Sequence, residues 1–157
     1  MSSGKPLGEL KVADIQHLVV DEPSIIGPDA TVDEVLRCML GDLRTRNVYV
    51  VDDDRHLLGC VRMDRVVDRL FPLEAIVTHS FEESLRGASA LNAKTARDLM
   101  IKGVSAVNDS SSLADVVKTL MRERVQELAV VDAHGRLVGE VNAYELIKAY
   151  LDAEPSV

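Results

Sequence analysis

The chain has 157 residues, of which 46% are hydrophobic and 28% are charged, and this composition is typical of a folded globular protein. Its formal net charge of −8 argues against general nucleic-acid binding, and an aromatic content of 3% without Trp argues against a base-stacking surface. No apolar run approaches the roughly 20 residues that span a bilayer and no leader peptide is evident, so we expect a cytoplasmic protein without a membrane partner.

The first half of the chain predicts a strand, a helix, a hairpin and a second helix. A short apolar stretch at 24–26 predicts the strand, and Thr31 is a candidate N-cap for the helix. Two apolar runs, 48–51 and 57–61, flank a polar turn and predict the hairpin. The apolar residues of the first helix follow the i, i+3, i+4, i+7, i+8 spacing: Val32, Val35, Leu36, Met39 and Leu40. The second helix is expected to bury Val66, Val67 and Leu70.

The segment from Phe71 to Thr95 matches nothing else in the chain. Within it, Ser80 and Glu83 have the spacing of a capping box, which predicts a short helix ended by Gly87. We therefore treat this segment as a connection between two larger parts.

The second half repeats the first half in the same order. Asp52 and Gly59 of the hairpin recur as Asp132 and Gly139, 80 residues later. The capped helix recurs 81 residues later, beginning after Ser112, and the opening segments 12–15 and 96–99 are also similar. The chain is therefore two copies of one unit.

The elements of the second copy follow the same pattern. The stretch 104–107 predicts a strand, and the turn at 132–135 ends in a glycine that is expected to adopt a positive φ. The apolar residues of its first helix have the spacing of one buried stripe: Leu113, Val116, Val117, Leu120 and Met121. The last helix is expected to bury Leu146, Ile147, Tyr150 and Leu151. One copy alone has a marginal core, so we expect the two copies to pack sheet to sheet about a pseudo-twofold axis.

Three features occur together in this repeat: the sequence Asp98-Leu99-Met100, the capped amphipathic helix, and the hairpin with its Asp and Gly. In this combination the chain resembles a tandem pair of cystathionine β-synthase (CBS) domains over nearly its whole length. The resemblance implies an α+β fold of two β-α-β-β-α repeats. We expect the first domain at 9–71, the linker at 72–95 and the second domain at 96–151.

The resemblance also implies a function. Such pairs are regulatory modules rather than enzymes, and they bind adenosine-containing molecules in the clefts between the copies. The expected ligands are AMP, ADP, ATP, S-adenosylmethionine or NAD, and no cofactor is required. The resemblance further implies a homodimer formed through helices and a regulated partner protein that the sequence does not identify.

The family's motif lies at the last strand and the following helix: Gly, two apolar residues, Ser or Thr, two variable residues and Asp. A carboxylate there can accept both hydroxyls of a ribose, and the hydroxyl residue with nearby backbone amides can meet a phosphate. The second copy has Asn142 and Glu145 at these positions, and both retain hydrogen-bonding groups. The ligand residues expected from the resemblance are Val104, Ala106, Val107, Leu128, Ala129, Val130, Asn142 and Glu145.

The first copy departs further from the motif. Arg65 stands at the carboxylate position and has no acceptor, so we do not expect ribose capture there. One helical face carries Arg62, Arg65 and Arg69. This face is either an anion-binding patch or a solvated face on which the arginines pair with Asp64 and Asp68. The possible degenerate or anion site comprises Ser24, Ile26, Tyr49, Arg62 and Arg65.

Catalytic and metal-binding functions find no support in the sequence. The acidic run at 52–54, with His56, lacks calcium-loop spacing and falls at a predicted turn. There is no i, i+4 His pair, no Walker loop and no Gly-x-Ser-x-Gly elbow. Cys38 and Cys60 are too few for a disulfide framework and lack metal-site spacing. We therefore predict no catalytic residues and no metal site.

A second function stays open at this point. The altered motifs also fit a ligand-free module for dimerisation or protein interaction, in which the nucleotide sites have degenerated. Ligand binding separates the two, because a ligand that binds only the folded state raises its stability by mass action.

Overall fold

The predicted β-α-β-β-α order is found in both halves of the computed structural model, which describes residues 5–71 and 92–153. The capping box predicted at 80–83 lies outside the described residues. The strands are β1 (Ile25–Ile26), β2 (Asn47–Val51), β3 (Leu57–Arg62), β4 (Ile101–Lys102), β5 (Ala106–Val107), β6 (Glu127–Val131) and β7 (Leu137–Asn142). The α-helices are α1 (Val32–Gly41), α2 (Met63–Leu70), α3 (Ala96–Leu99), α4 (Leu113–Glu123) and α5 (Ala143–Ala153).

Both predicted N-caps are confirmed. The Thr31 hydroxyl accepts a hydrogen bond from the Glu34 amide at 3.2 Å, and the Glu34 carboxylate accepts one from the Thr31 amide at 2.7 Å. The Ser112 hydroxyl accepts from the Asp115 amide at 3.1 Å. These bonds satisfy amides that a helix start otherwise leaves unpaired, so each long helix begins at the predicted residue.

The two copies place their strands in the same register. The first sheet has the order β1-β2-β3-β4, with β1 to β3 from the first copy and β4 from the opening part of the second, and Ile25 of β1 lies opposite Tyr49 of parallel β2. The second copy contributes the sheet β5-β6-β7, in which Ala106 lies opposite Ala129 in the same parallel arrangement. Positions that correspond in the sequence therefore correspond in the sheets.

The compact units of the structure divide the chain differently from the sequence copies. The copy-one unit comprises 24–53 and 58–104, and the copy-two unit comprises 5–23, 54–57 and 105–153 of the described residues. Each opening segment therefore lies in the unit built mainly from the other copy. The expected domain boundaries, which follow the sequence copies, stay a prediction.

The opening segments contribute to the two hydrophobic cores. Val12 and Ile15 are buried in the copy-two core with Val116 of α4 and Val141 of β7. Ala96 and Leu99 are buried in the copy-one core with the following residues: Val35, Met39, Val48, Val50 and Val61. Because apolar burial is the main favourable term in folding, each core needs a segment from outside its own copy.

The recurring hairpin glycine allows this arrangement. A Cβ on Gly59 would lie 2.5 Å from the backbone oxygen of Ile101, and a Cβ on Gly139 would lie 3.0 Å from that of Val20. The neighbouring Glu140 exchanges two backbone hydrogen bonds of 3.0 Å with Val20. The glycines therefore let the opening segments run directly against the hairpins.

The recurring hairpin aspartate holds the turn in the second copy. Asp132 accepts hydrogen bonds from the amides of His134 at 2.8 Å and Arg136 at 3.0 Å, and from the Arg136 guanidinium at 2.8 Å. The hydrogen bond from the Arg136 amide is the main reason that the pKa of Asp132 falls to about 2. Gly135 has the expected positive φ of 77°, and Arg55 at the equivalent position of the first copy has a φ of 67°.

The predicted buried faces of the helices are partly wrong. On α5, Ile147 is 62% exposed and Leu151 is 63% exposed, whereas Glu145 and Ala149 are buried. Three further side chains that were expected to be buried are exposed: Leu40, Val67 and Met121. Tyr150 and Val117 are also exposed. Helical spacing identifies an apolar face, but each core covers only part of that face.

We predict that Gly59→Ala lowers the free energy of unfolding by about 1–3 kcal/mol, because the added Cβ collides with the Ile101 backbone. Gly41→Ala is the matched control. Nothing lies within 4 Å of a Cβ there, so we expect stabilisation of about 0.5–1 kcal/mol. Urea denaturation measures the free energy of unfolding of both variants. An unchanged urea midpoint for Gly59→Ala would show that close approach does not explain this glycine.

Candidate functional site

The strands that carry most of the predicted ligand residues of the second copy share one end of their sheet. β5 and β6 are parallel and begin at this end, and antiparallel β7 finishes there, with Asn142 opposite Glu127. Helix α5 begins immediately after Asn142. The start of two strands, the end of a third and a helix N-terminus therefore converge.

The pleat of the sheet separates the predicted residues onto two faces. Val107, Leu128 and Val130 belong to the hydrophobic core. Ala106, Ala129 and Asn142 lie on the opposite face, since successive strand residues alternate. Val104 is the last residue of the copy-one unit. Of the predicted strand residues, those on the second face are therefore the ones pointing away from the copy-two core.

Asn142 and Glu145 form a capping box at the start of α5. The Asn142 side-chain oxygen accepts from the amides of Tyr144 at 2.8 Å and Glu145 at 3.3 Å. One oxygen of the Glu145 carboxylate accepts from the Asn142 amide at 2.7 Å. Both side chains are buried. The carboxylate that the sequence assigns to ribose capture thus also holds the helix start.

Sequence reasoning missed two buried carboxylates on the same face. Glu127, opposite Asn142, is 7% exposed, and Glu140, opposite Ala129, is 0% exposed. Buried carboxylates are uncommon in protein interiors. The signal that could have found them is the strand alternation, which places both with Asn142 rather than with the core residues.

The corresponding end of the first copy is built from different side chains. Tyr49, at the position equivalent to Ala129, is 2% exposed, and its amide donates to the Ser24 carbonyl at 2.8 Å. Ile26 packs against the copy-one core. A tyrosine ring and an isoleucine, Ile25, thus stand opposite each other where the second copy has two alanines.

The arginines of the first copy have separate environments. Arg62 forms a two-pronged ion pair with Asp64, with nitrogen–oxygen distances of 2.6 and 3.1 Å. The Asp64 carboxylate also accepts from the Arg65 amide at 2.9 Å. Arg65 and Arg69 are exposed on α2. Arg62 therefore has the carboxylate partner expected of a solvated, ion-paired face.

Metal and membrane features were searched within residues 5–71 and 92–153. No three His, Cys, Asp or Glu side chains there are grouped as metal ligands would be. None of the helices in this part of the chain is both long and apolar enough to cross a bilayer.

Known proteins share this architecture. The family model described as "CBS domain" matches residues 12–71 and 96–152. The chloroplastic CBS domain-containing proteins CBSX1 and CBSX2 of Arabidopsis thaliana are each 28% identical to the chain, over 84% and 81% of its length. These matches cover 61% and 58% of the two relatives, so the chain spans about three fifths of their length.

Two solved structures resemble the chain closely in fold. A CBS domain-containing protein of Thermotoga maritima has a TM-score of 0.71 at 25% identity, over 94% of this chain and 99% of that one. A crystal structure of CBSX2 in complex with AMP has a TM-score of 0.69 at 23% identity, over 91% of this chain and 97% of that one.

We predict that Asn142→Ala lowers the free energy of unfolding by about 1 kcal/mol, because the first amides of α5 lose their acceptor. Asn142→Ser is the matched control, since Ser is an equally good N-cap and should retain most of the stability. Thermal or urea denaturation distinguishes them. Equal losses in both variants would contradict the capping role.

Proposed function

Since the chain belongs to the CBS-domain family, we propose that it is a non-catalytic regulatory module that senses an adenosine-containing ligand. The main support from relatives is CBSX2, which has been crystallised with AMP. The proposal concerns binding rather than turnover, and it requires no cofactor.

The difference between the two copies carries the proposal. The second copy has Ala106 and Ala129 where the first copy has the larger Ile25 and Tyr49. It also keeps a carboxylate, Glu145, where the first copy has an arginine. The two alanines occupy less volume than Ile25 and Tyr49, and a carboxylate can accept ribose hydroxyls, so we propose that the copy-two site is the one that binds.

The chemistry of the site suits a ribose and a phosphate. A carboxylate has two oxygens and about four acceptor positions, so Glu145 can cap α5 through one oxygen while accepting ribose hydroxyls. The Asn142 side-chain NH2 can donate to a phosphate, and the start of α5 favours an anion because a helix N-terminus carries partial positive charge.

Helix α5 connects the proposed ligand site to an exposed surface. Its first turn holds the proposed ligand groups, and its outer face carries the exposed side chains of Tyr144 and Ile147. A ligand that binds one position of α5 more tightly than another shifts the population between them. We propose that a regulated partner protein, not yet identified, responds to that shift.

Calorimetry with AMP, ADP, ATP, S-adenosylmethionine and NAD tests the proposal. We expect at least one of them to bind and to raise the melting temperature, by mass action. Ala106→Phe should weaken binding by at least about tenfold, since a ring fills the proposed nucleoside space while its exposed position spares the core. Val138→Phe, on the same sheet, is the matched control and should bind normally. No heat from any of the five at millimolar concentration would defeat the proposal.

A second candidate function, dimerisation, is favoured by exposed apolar side chains in the copy-two unit. On α5 these are Tyr144, Ile147 and Leu151, and on α4 they are Val117 and Met121. Several exposed apolar side chains on one unit are typical of an interaction surface. We propose that two copies of the chain pair through this face, since a twofold axis lets one patch cover its own equivalent.

Light scattering over a concentration series tests the pairing. We expect twice the chain mass, and we expect Ile147→Glu to raise the dimer dissociation constant by at least about tenfold, because it puts a charge into an apolar contact. Val138→Glu makes the same kind of change on an exposed strand residue and should leave the dimer intact. A wild-type protein of single-chain mass at all concentrations would rule the pairing out.

We also propose a cytoplasmic location. The support is that Cys38 and Cys60 are free thiols, which are typical of proteins in a reducing compartment. Burial raises the pKa of the Cys38 thiol, which keeps it protonated and unreactive at neutral pH.

A further inference from the structure

The copy-one unit contains a cavity of about 400 Å³ beside helix α2. Its apolar lining comes from β3, α2 and the segment 99–101, with these residues: Val61, Val66, Leu99, Met100 and Ile101. Its charged lining consists of Arg65, Asp68 and Arg69 of α2. Ligand pockets commonly combine an apolar wall with a few polar groups, at volumes from about 300 to 1,000 Å³.

The two arginines of this cavity repeat at i, i+4 on one face of α2. Like charges at this spacing weaken a helix, so a bound counter-charge would stabilise it. Within residues 5–71 and 92–153, no ion pair joins either guanidinium to a carboxylate, whereas Arg62 in the same region is held by Asp64. Arg65 and Arg69 are therefore available to a ligand.

We propose that this cavity binds a phosphate monoester of an apolar or aromatic group through Arg65 and Arg69. Two guanidiniums can donate paired hydrogen bonds to a phosphate dianion, a geometry to which arginine is suited. The apolar wall of Leu99, Met100 and Ile101 then covers the group that carries the phosphate.

The cavity differs in chemistry from the adenosine site proposed in the second copy. The position equivalent to Glu145 is Arg65, which has no acceptor for ribose hydroxyls. Asp68, which also lines the cavity, opposes an anion, and with Arg65 and Arg69 it leaves the lining one positive charge in excess. The ligand is thus selected by its anionic and apolar parts rather than by a diol, and the inference does not rest on nucleotide binding.

Calorimetry with phenyl phosphate as the probe tests this proposal. We expect it to bind more tightly than inorganic phosphate or phenol, each of which has only one of the two recognised parts, and more tightly than benzoate, which carries a single charge. Arg65→Gln and Arg69→Gln should each weaken binding by about tenfold, since each loses a charge-assisted hydrogen bond. Asp68→Asn should strengthen binding by a few-fold, because it removes the opposing charge.

Arg37→Gln is the matched control, since it makes the same charge change on α1, where Arg37 pairs with Asp33 at 2.7 Å. It should bind phenyl phosphate normally. The exposed positions of Arg65 and Arg69 allow both variants to fold, which circular dichroism checks. Binding that is absent at millimolar probe, or that Arg65→Gln and Arg69→Gln leave unchanged, would overturn the proposal.

The two proposed sites can be tested independently of each other. Ala106→Phe should leave phenyl phosphate binding intact while it weakens the adenosine ligand, and Arg65→Gln should do the reverse. If phenyl phosphate binds in an Arg65-dependent way but no adenosine compound binds, this cavity is supported and the proposed nucleotide site is not.

Discussion

The close approach of a second backbone segment to Gly59 and Gly139 is the contact on which both halves of this protein depend. With no Cβ at these positions, the segments around Ile101 and Val20 run directly against the hairpins. The same segments bring Leu99 and Val19 into the two cores. Neither copy therefore completes its core alone, and the stability of each unit depends on residues that are distant in the sequence.

This shared backbone plan supports two different sets of side chains. At the start of α5, Asn142 and Glu145 satisfy the helix amides with buried oxygens. At the start of α2, the N-cap side chain of Arg62 makes no such bond, and the carboxylate lies one residue earlier, at Asp64, where it accepts from the Arg65 amide. The first copy has Arg65 where the second copy has Glu145, so a hydrogen-bond donor stands in place of an acceptor. The ligands that we propose for the two occurrences of this junction differ for this reason.

Much of the fold could be predicted because its signals are local. Thr31 and Ser112 are caps through bonds that reach three residues, and Gly135 adopts its positive φ within one turn. The buried faces of the helices were harder to predict. The spacing on α5 places Ile147 and Leu151 on an apolar face, but it does not show whether other residues cover that face. In the candidate site, Asn142 and Glu145 were identified from the motif of the family that the chain resembles, but the motif does not include the sheet pleat, which sends Leu128 into the core.

Composition and internal repetition were enough to establish two related α+β units, their caps and their hairpins, since each depends on residues a few positions apart. Only the tertiary structure decided that the opening segments 12–15 and 96–99 join the opposite units, and that Arg65 and Arg69 border a cavity. These features depend on contacts between residues far apart along the chain. Such contacts are selected by packing and backbone clearance, for which a local pattern carries no information.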